Sequence, residues 1–403
     1  MFINFTIGNY RSFKDKTVFS LEKHGQTKEL PENCFSSPAL PSRMSLLKSA
    51  VIYGANASGK SNLIQALTMM QTIVLRNGIG DKEVSQLLEP FSLSEKMLNE
   101  PVFFEMELLA SGRRYRYGFE CTHSEIVSEW LYAQKQRMTL MFARENDHFV
   151  DSSPEFAELK AWSKVISDTR LNLPRNALFL STAARMFAGG ACEAVLNWFE
   201  RTLQIVSAHT YQQYLGATFA AMKNSEQADK ISKLISKADL GIQKVEAGET
   251  NVNNVERIGT THIVGNKTYH FDMFHHESSG TQKIFALSAG LLDVLKNGKV
   301  LFIDELDASL HPLLVSQLIE MFHNDNPSNA QMVATTHSPS ILTETTLRHD
   351  QVWFVEKDDD GSSKLASLAD FTGIRGNFTR ITKDYLHGCF GGIPYIKNLN
   401  VED

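Results

Sequence analysis

Residues 51–62 read VIYGANASGKSN, and this stretch decides the fold of the chain. A short apolar run leads into the pattern G-x-x-x-x-G-K-S, which is typical of a phosphate-binding loop that opens a helix. The small residues let successive backbone N–H groups surround the phosphates of a nucleotide. The helix that follows directs the positive end of its dipole to the same anion. The stretch therefore predicts a nucleotide-binding site between a strand and a helix.

Two side chains of this loop have predicted roles. Lys60 is placed to reach the β- and γ-phosphates as a catalytic residue, and the Ser61 hydroxyl is placed to hold Mg²⁺. The loop residues that we predict to bind the nucleotide are Gly54, Ala55, Asn56, Ala57, Ser58, Gly59, Lys60, Ser61 and Asn62.

The composition is that of an ordinary globular protein. The 403 residues are 42% hydrophobic and 21% charged, which argues against a disordered chain and leaves room for more than one domain. No run approaches the roughly 18 apolar residues of a membrane span, and the first residues lack the apolar core of a signal peptide. The four cysteines lie far apart, and the net charge is −6. We therefore expect a cytoplasmic protein with reduced thiols, no membrane contact and no basic coat for nucleic acid.

Two carboxylates end a predicted strand in the last third of the chain. Residues 299–305 read KVLFIDE, as expected for a buried strand whose carboxyl end faces a ligand. Asp304 is predicted to bind Mg²⁺ through its water shell. Glu305 is then placed to polarise the attacking water, as the catalytic base.

Two further segments are candidates for the same site. Residues 335–338 read TTHS after another apolar strand, so His337 is placed near the γ-phosphate as a third catalytic residue. Residues 277–283 read ESSGTQK and open an amphipathic helix at 279–296, whose N-terminus offers free backbone N–H donors.

In this order the segments resemble the motifs of an ABC-type ATPase head. The phosphate loop looks like Walker A, and the segments that follow look like the signature (278–282), Walker B (301–305), the D-loop with Asp307 and the switch histidine His337. The signature departs from Leu-Ser-Gly-Gly-Gln, because Ser278 replaces the leucine and Thr281 the second glycine.

The variant signature is similar to that of ATPases of the SMC, recombination-mediator and OLD group. The segment Asn9-Tyr10-Arg11-Ser12-Phe13 also resembles that group. The tail at 385–394 resembles stand-alone ATPases of bacterial phage-resistance systems, such as the RloA-like and PARIS-ATPase-like proteins.

This resemblance implies an α/β fold. It is that of an ABC-type P-loop ATPase head, with a mixed sheet and flanking helices, an N-terminal antiparallel β-subdomain and a helical insertion between Walker A and the signature. The expected division is 1–150 for the N-terminal half of the head, 151–245 for the mainly helical insertion and 246–403 for the C-terminal half.

The resemblance also implies hydrolysis of ATP, with Mg²⁺, in a site shared between two copies of the chain. In such heads ATP lies between subunits, so Ser279, Gly280 and Thr281 are expected to contact the nucleotide of a partner. ATP would then switch the chain between separate copies and a homodimer or higher oligomer. The sequence does not identify the glutamine of the Q-loop, for which Gln86 is a candidate.

For function, we expect an ATPase that acts as a sensor or scaffold in bacterial anti-phage defence. It would control a separate effector, such as a Toprim-like or other nuclease, with DNA or a phage protein as a possible trigger. Only 65 residues follow Ser338, too few for a Toprim module beside the closing strands.

The alternative is an ATPase of DNA repair or chromosome maintenance, of the recombination-mediator or SMC class, that binds DNA directly. Residues 113–117, RRYRY, interleave basic and aromatic side chains, as DNA-binding surfaces do. In a strand, however, the arginines at 114 and 116 share one face and the tyrosines the other. A transporter ATPase is disfavoured by the variant signature and the long insertion.

Overall fold

The fold is described from a computed structural model for residues 1–25, 29–80, 82–134, 137–169, 173–208, 210–239, 241–248, 257–343, 346–371 and 378–393. The strands are β1 (Phe2–Gly8), β2 (Thr17–Ser20), β3 (Cys34–Phe35), β4 (Leu46–Leu47), β5 (Ser49–Gly54), β6 (Val102–Ala110), β7 (Arg113–Cys121), β8 (Ile126–Gln134), β9 (Met138–Glu145), β10 (His148–Ser152), β11 (Leu203–Val206), β12 (Ile242–Ala247), β13 (Ile258–Val264), β14 (Lys267–Asp272), β15 (Val300–Ile303), β16 (Gln331–Thr335), β17 (Val352–Lys357) and β18 (Ser363–Ser367).

The α-helices lie mainly after residue 150. They are α1 (Lys60–Arg76), α2 (Lys82–Leu87), α3 (Glu95–Leu98), α4 (Ala157–Thr169), α5 (Phe179–Met186), α6 (Ala191–Asn197), α7 (Leu215–Met222), α8 (Ser225–Ala238), α9 (Met273–His276), α10 (Ser279–Asn297), α11 (Pro312–Asn324) and α12 (Phe378–Leu386). In the described part of the chain, none of them combines the length and the apolar character that a membrane crossing needs.

A seven-stranded antiparallel sheet forms the N-terminal part. Its spatial order is β10-β9-β8-β7-β6-β1-β2, and each neighbouring pair is antiparallel. The predicted turn at Ser111-Gly112 joins β6 to β7, with φ of 48° and 72°. Positive φ at both central residues matches the twist of the flanking strands. The expected antiparallel β-subdomain is therefore confirmed.

The basic and aromatic residues of β7 have separate structural roles. Tyr115 and Tyr117 are 2% and 0% exposed, so their rings cannot stack on a base. On the other face, Arg114 pairs with Glu107 at 2.5 Å, and Arg116 lies 3.7 Å from Glu105. The strand therefore shows a buried aromatic face and an ion-paired outer face.

A six-stranded sheet carries the phosphate loop. Its order is β11-β15-β16-β5-β17-β18, and all pairs are parallel except β17 with β18. Every residue of β5 is buried, as expected for an inner strand with covered faces. The carboxyl ends of its parallel strands, which meet at one edge, position the site.

Strand β11 is a feature that sequence periodicity did not predict. The helical pattern at 191–203 extends only to Asn197 as an α-helix, and the chain passes through a π-turn (Trp198–Thr202) into β11. β11 then pairs in parallel with β15, with Leu203 opposite Val300. A four-residue strand has too few residues to show a period of its own, and pairing with β15 overrides the helical pattern.

One apolar core joins the two large sheets and α1. The ring of Phe2 in β1 meets Phe302 in β15 at 5.3 Å, and Phe19 in β2 meets Trp353 in β17 at 5.1 Å. The backbone N–H of Phe2 donates to Oε1 of Gln331 at 2.6 Å. These contacts hold the antiparallel sheet against the sheet that carries the phosphate loop.

A second core lies on the other side of the parallel sheet. It includes residues of α8, α10 and α11 and of the small antiparallel sheet β12-β13-β14. Strand β14 ends at Asp272, whose carboxylate accepts from the N–H of Phe274 at 2.9 Å and starts α9. This core brings the start of α10 next to the loop after β15.

Candidate functional site

The phosphate loop connects β5 to α1 at the carboxyl edge of the parallel sheet. Ala57 and Gly59 have φ of 61° and 117°, so the chain turns back on itself before the helix. A methyl group on Gly54 would lie 2.6 Å from the carbonyl oxygen of Val355, and one on Gly59 would overlap the Ser363 hydroxyl. Glycine is therefore required at both positions that the motif fixes.

Lys60 lies folded onto the loop. It is 5% exposed, and its Nζ donates to the carbonyl oxygens of Gly54 at 2.8 Å and Ala55 at 2.9 Å. Burial lowers the pKa of Lys60 to about 8, and the carboxylates of Asp304, Glu305 and Asp307 oppose that shift. At pH 7 the ammonium form still prevails, and it is poised to gain a phosphate partner.

The loop has unused hydrogen-bond donors that fit a phosphate chain. Gly59 caps α1 without a side-chain hydrogen bond, which leaves the first backbone N–H groups of the helix available to an anion. Ser58 is 2% exposed, and its buried hydroxyl has no hydrogen-bond partner among the residues that the structure describes. A buried hydroxyl without a partner is costly unless a ligand supplies an acceptor.

A cleft of about 540 Å³ opens over this loop. It brings Glu305 and His337 together with the phosphate loop, as predicted. Its lining residues are Ser12, Asn56, Ala57, Ser58, Gly59, Lys60, Ser61, Asn62, Glu305, His337 and Lys357. Gly54 and Ala55 do not line the cleft, but their carbonyl oxygens accept hydrogen bonds from Nζ of Lys60.

The two carboxylates after β15 are positioned by β16. Asp304 is only 7% exposed, and its Oδ1 accepts from the Thr335 hydroxyl at 2.6 Å. The same hydroxyl oxygen accepts from the backbone N–H of Glu305 at 2.7 Å. Glu305 itself has a φ of 50°, an uncommon left-handed conformation that turns the chain into the cleft. Thr335 thus orients both residues at once.

His337 lies at the rim of the cleft with an exposed side chain. Its backbone N–H donates to Oδ2 of Asp307 at 3.0 Å. Partial burial and the Lys60 ammonium lower the pKa of His337, while the carboxylates of Asp307, Glu305 and Asp304 work against that shift. The imidazole is therefore neutral at pH 7 and can donate or accept a hydrogen bond.

The signature segment opens α10 in a different cleft. Ser278 caps the helix by accepting from the N–H of Thr281 at 3.1 Å, and the Thr281 hydroxyl donates to Oδ2 of Asp239 at 2.9 Å. Ser279 is exposed. This second cleft, of about 270 Å³, is lined by Ile235, Ala238, Asp239, Ser278, Gly280, Thr281, Ile284, Ser309, Leu310, His311 and Leu314. The two clefts share no lining residue, so one chain does not bring Ser279, Gly280 and Thr281 to its own phosphate loop.

Two contacts connect α10 to the segment after Asp304 and Glu305. The buried Nζ of Lys283 donates to the carbonyl oxygens of Glu305, Leu306 and Ala308, at 3.0, 3.2 and 2.9 Å. A methyl group on Gly280 would overlap the carbonyl oxygen of Ser309. These contacts therefore join the start of α10 to the 305–309 segment.

Sequence reasoning missed several residues of the site. Ser12 and Lys357 line the cleft, and Ser363 donates from its hydroxyl to the carbonyl oxygen of Ser58 at 2.5 Å. The available signals were a lysine that ends an apolar strand for Lys357 and the family-like segment 9–13 for Ser12, while Ser363 had no distinguishing pattern. Gln86, the Q-loop candidate, is exposed on α2 and lines neither cleft.

Comparison with known proteins gives a family and a set of distant structural similarities. The family described as "AAA domain, putative AbiEii toxin, Type IV TA system" matches residues 49–343. Among curated proteins, none matches this chain.

Similar solved structures include three SMC head domains. The SMC head domain from Thermotoga maritima has 13% identity and a TM-score of 0.40, over 91% of this chain and 98% of that one. The SmcHead bound to the C-winged helix domain of ScpA has 14% identity and a TM-score of 0.47, over 91% and 97%. The Smc head domain with an extended coiled coil, bound to the C-terminal domain of ScpA from Pyrococcus furiosus, has 14% identity and a TM-score of 0.40, over 96% and 98%. Because the TM-scores are below 0.5, the fold of this chain is defined by its own sheet topology and by the geometry of its phosphate loop.

Proposed function

Because the chain belongs to this family of AAA domains, we propose that it is an ATPase whose nucleotide switches it between separate and paired copies. In its bacterial host the switch would serve defence against phage, by controlling a separate effector protein.

The separation of the two clefts is the observation that carries the proposal. The phosphate cleft contains Lys60, Glu305 and His337 but lacks the signature residues. Ser279 is exposed at the start of a 19-residue helix whose N-terminal N–H groups suit an anion. A second copy of the chain would supply these donors to the phosphate cleft, in an isologous pair.

Each residue of the cleft has a chemical task in hydrolysis. Glu305 accepts the proton of the attacking water, and the neutral imidazole of His337 hydrogen-bonds near the γ-phosphate. Lys60 neutralises charge on the β- and γ-phosphates. Ser61 and Asp304 would hold Mg²⁺, which supplies further neutralisation of that charge when bound. The Thr335 hydroxyl fixes the positions of Asp304 and Glu305 relative to each other, because it is hydrogen-bonded to both.

Direct DNA binding has less support. The tyrosines of the RRYRY segment are buried, and Arg114 and Arg116 face carboxylates at 2.5 and 3.7 Å. A surface for single-stranded DNA needs exposed aromatic rings beside unpaired cations. The segment that favoured the DNA-repair alternative therefore belongs to the structure of the sheet.

The switch is tested with Glu305→Gln. This variant should bind ATP, lose hydrolysis by about 10²- to 10⁴-fold and sediment as a dimer with ATP but not with ADP. Glu320→Gln on α11, which lines neither cleft, is the matched control and should behave as wild type. Hydrolysis by Glu305→Gln at the wild-type rate, or a monomer in ATP, would reject the switch.

The role in defence is tested in cells. A host that carries the chain with its neighbouring genes should resist phage, and Lys60→Ala should restore plaque formation because nucleotide binding is lost. Tagged Glu305→Gln protein should retain the effector in ATP and release it in ADP. Equal plaque numbers for wild type and Lys60→Ala would rule out the proposed role.

A further inference from the structure

A second ammonium group lines the phosphate cleft. Lys357, the last residue of β17, is exposed there beside the phosphate loop. β17 pairs in parallel with β5, and Val355 lies opposite Gly54. Lys357 follows two residues later, so it stands at the carboxyl edge of the sheet where the loop begins.

The charge of Lys357 is not compensated by its neighbours. Asp358 pairs with Lys364 at 2.5 Å, and Asp360 pairs with Lys14 at 2.8 Å. The Glu356 carboxylate lies against Gly391, where a methyl group would overlap it. Lys357 itself makes no ion pair with a carboxylate in the part of the chain that the structure describes. Its positive charge is therefore available to a ligand in the cleft.

The hairpin that carries Lys357 is attached to the phosphate loop. Lys357 and Ser363 are opposite each other in the β17–β18 ladder. Ser363 donates from its hydroxyl to the carbonyl of Ser58 at 2.5 Å and from its N–H to the carbonyl of Ser12 at 2.6 Å. The backbone at position 357 is thus held at a fixed place relative to the loop, and its exposed side chain extends from there.

We propose that Lys357 is a second phosphate-binding residue, supplied by the β17–β18 hairpin. This role rests on the proposed function, because Lys357 acts in the same site on the same class of ligand, a nucleoside di- or triphosphate. Lys60 uses two of its three donors on the carbonyls of Gly54 and Ala55. Among the described residues, the ammonium of Lys357 has no such acceptor. Lys357 therefore adds affinity for phosphate that the loop lysine does not supply.

The test measures nucleotide affinity by calorimetry, with ADP and a non-hydrolysable ATP analogue on the full chain. Lys357→Gln should weaken ADP binding about tenfold, since it removes one charge-assisted contact. It should also reduce the salt dependence of the affinity, while Lys357→Arg retains most of both. Lys267→Gln, at the exposed start of β14, removes the same charge away from the cleft and should bind as wild type.

The outcomes separate this inference from the proposed function. If the wild type binds ADP and Lys357→Gln binds it equally well, with the same salt dependence, the role of Lys357 is overturned while the ATPase stands. Weak binding by both Lys357→Gln and Lys357→Arg at unchanged salt dependence would indicate a structural role and also overturn it. If the wild type binds neither nucleotide, both proposals fail.

Discussion

Lys60 makes nucleotide binding depend on pH. Its pKa is lowered to about 8 by burial, and a bound phosphate raises it again. Above pH 8 the free protein loses the ammonium proton and must regain it on binding, so affinity falls as pH rises. Below pH 7 Lys60 is protonated in both the free and the nucleotide-bound protein, so it makes no contribution to the pH dependence of the affinity.

We expect the Kd for ADP to rise between pH 8 and 9.5, approaching about tenfold per pH unit at the upper end. Titration calorimetry in buffers of different ionisation heat would also report the proton uptake. Lys60→Arg keeps its charge throughout this range and is the control, with a weaker but pH-independent Kd. A flat wild-type profile would show that Lys60 keeps its ordinary pKa.

Gly280 sets the distance between the signature helix and the Ser309 carbonyl. Gly280→Ala should push the start of α10 away from that carbonyl and reduce ATP-dependent pairing in the Glu305→Gln background. Gly290→Ala on the same helix is the matched control, because its methyl group would find no atom closer than 4.0 Å. The control should stabilise the helix by about 0.5–1 kcal/mol. If the Gly280→Ala variant pairs normally in ATP, the start of α10 has no part in the proposed dimerisation switch.

At the scale of elements, Lys283 joins α10 to the loop after β15. Lys283→Met removes the ammonium donor that three carbonyls share, one of them fully buried, and should lower the free energy of unfolding by about 2 kcal/mol. Because these carbonyls follow Glu305, kcat should fall more than nucleotide affinity. Urea denaturation and steady-state kinetics measure the two effects. Lys296→Met, exposed in the last turn of the same helix, should change neither.

Long elements with a strong period were predictable from the sequence. The helices at 60–76 and 279–297 and the strands β15 and β16 lie where their apolar patterns indicate. Strand β11 was not predictable from the sequence, because its four residues follow a helical pattern and become a strand only through pairing with β15. The positions of Ser12, Lys357 and Ser363 depend on sheet order, which no local pattern encodes.

At the scale of the whole molecule, a shared site predicts complementation between variants. Ser279→Arg should block the donor half of the site, and Lys60→Ala the receiving half, so each variant alone should be inactive. In an equimolar mixture, half of the dimers are mixed and each mixed dimer keeps one complete site. ATPase activity should then recover to about a quarter of the wild-type rate. Full activity of Ser279→Arg alone, or no recovery in the mixture, would exclude a site shared by two copies.

The motifs of the site could be found in the sequence, but their division between two copies of the chain was expected only from the family resemblance. Asn56–Asn62, Glu305 and His337 meet in one cleft, whereas Ser278, Gly280 and Thr281 line another. The order of motifs along the chain is the same whether a site closes within one chain or between two. The topology, in which the signature helix is tied to the 305–309 segment, keeps the two clefts distinct.

The strand order of the parallel sheet has a consequence for biosynthesis. β5, which is wholly buried, finds its two neighbours only in β16 and β17, near the other end of the chain. While the ribosome makes the intervening residues, this apolar strand has no partner and needs shelter from aggregation. Nucleotide can stabilise the loop only after β16 and β17 have emerged. A nascent chain stalled before residue 331 should therefore be a chaperone substrate, whatever the concentration of ATP in the cell.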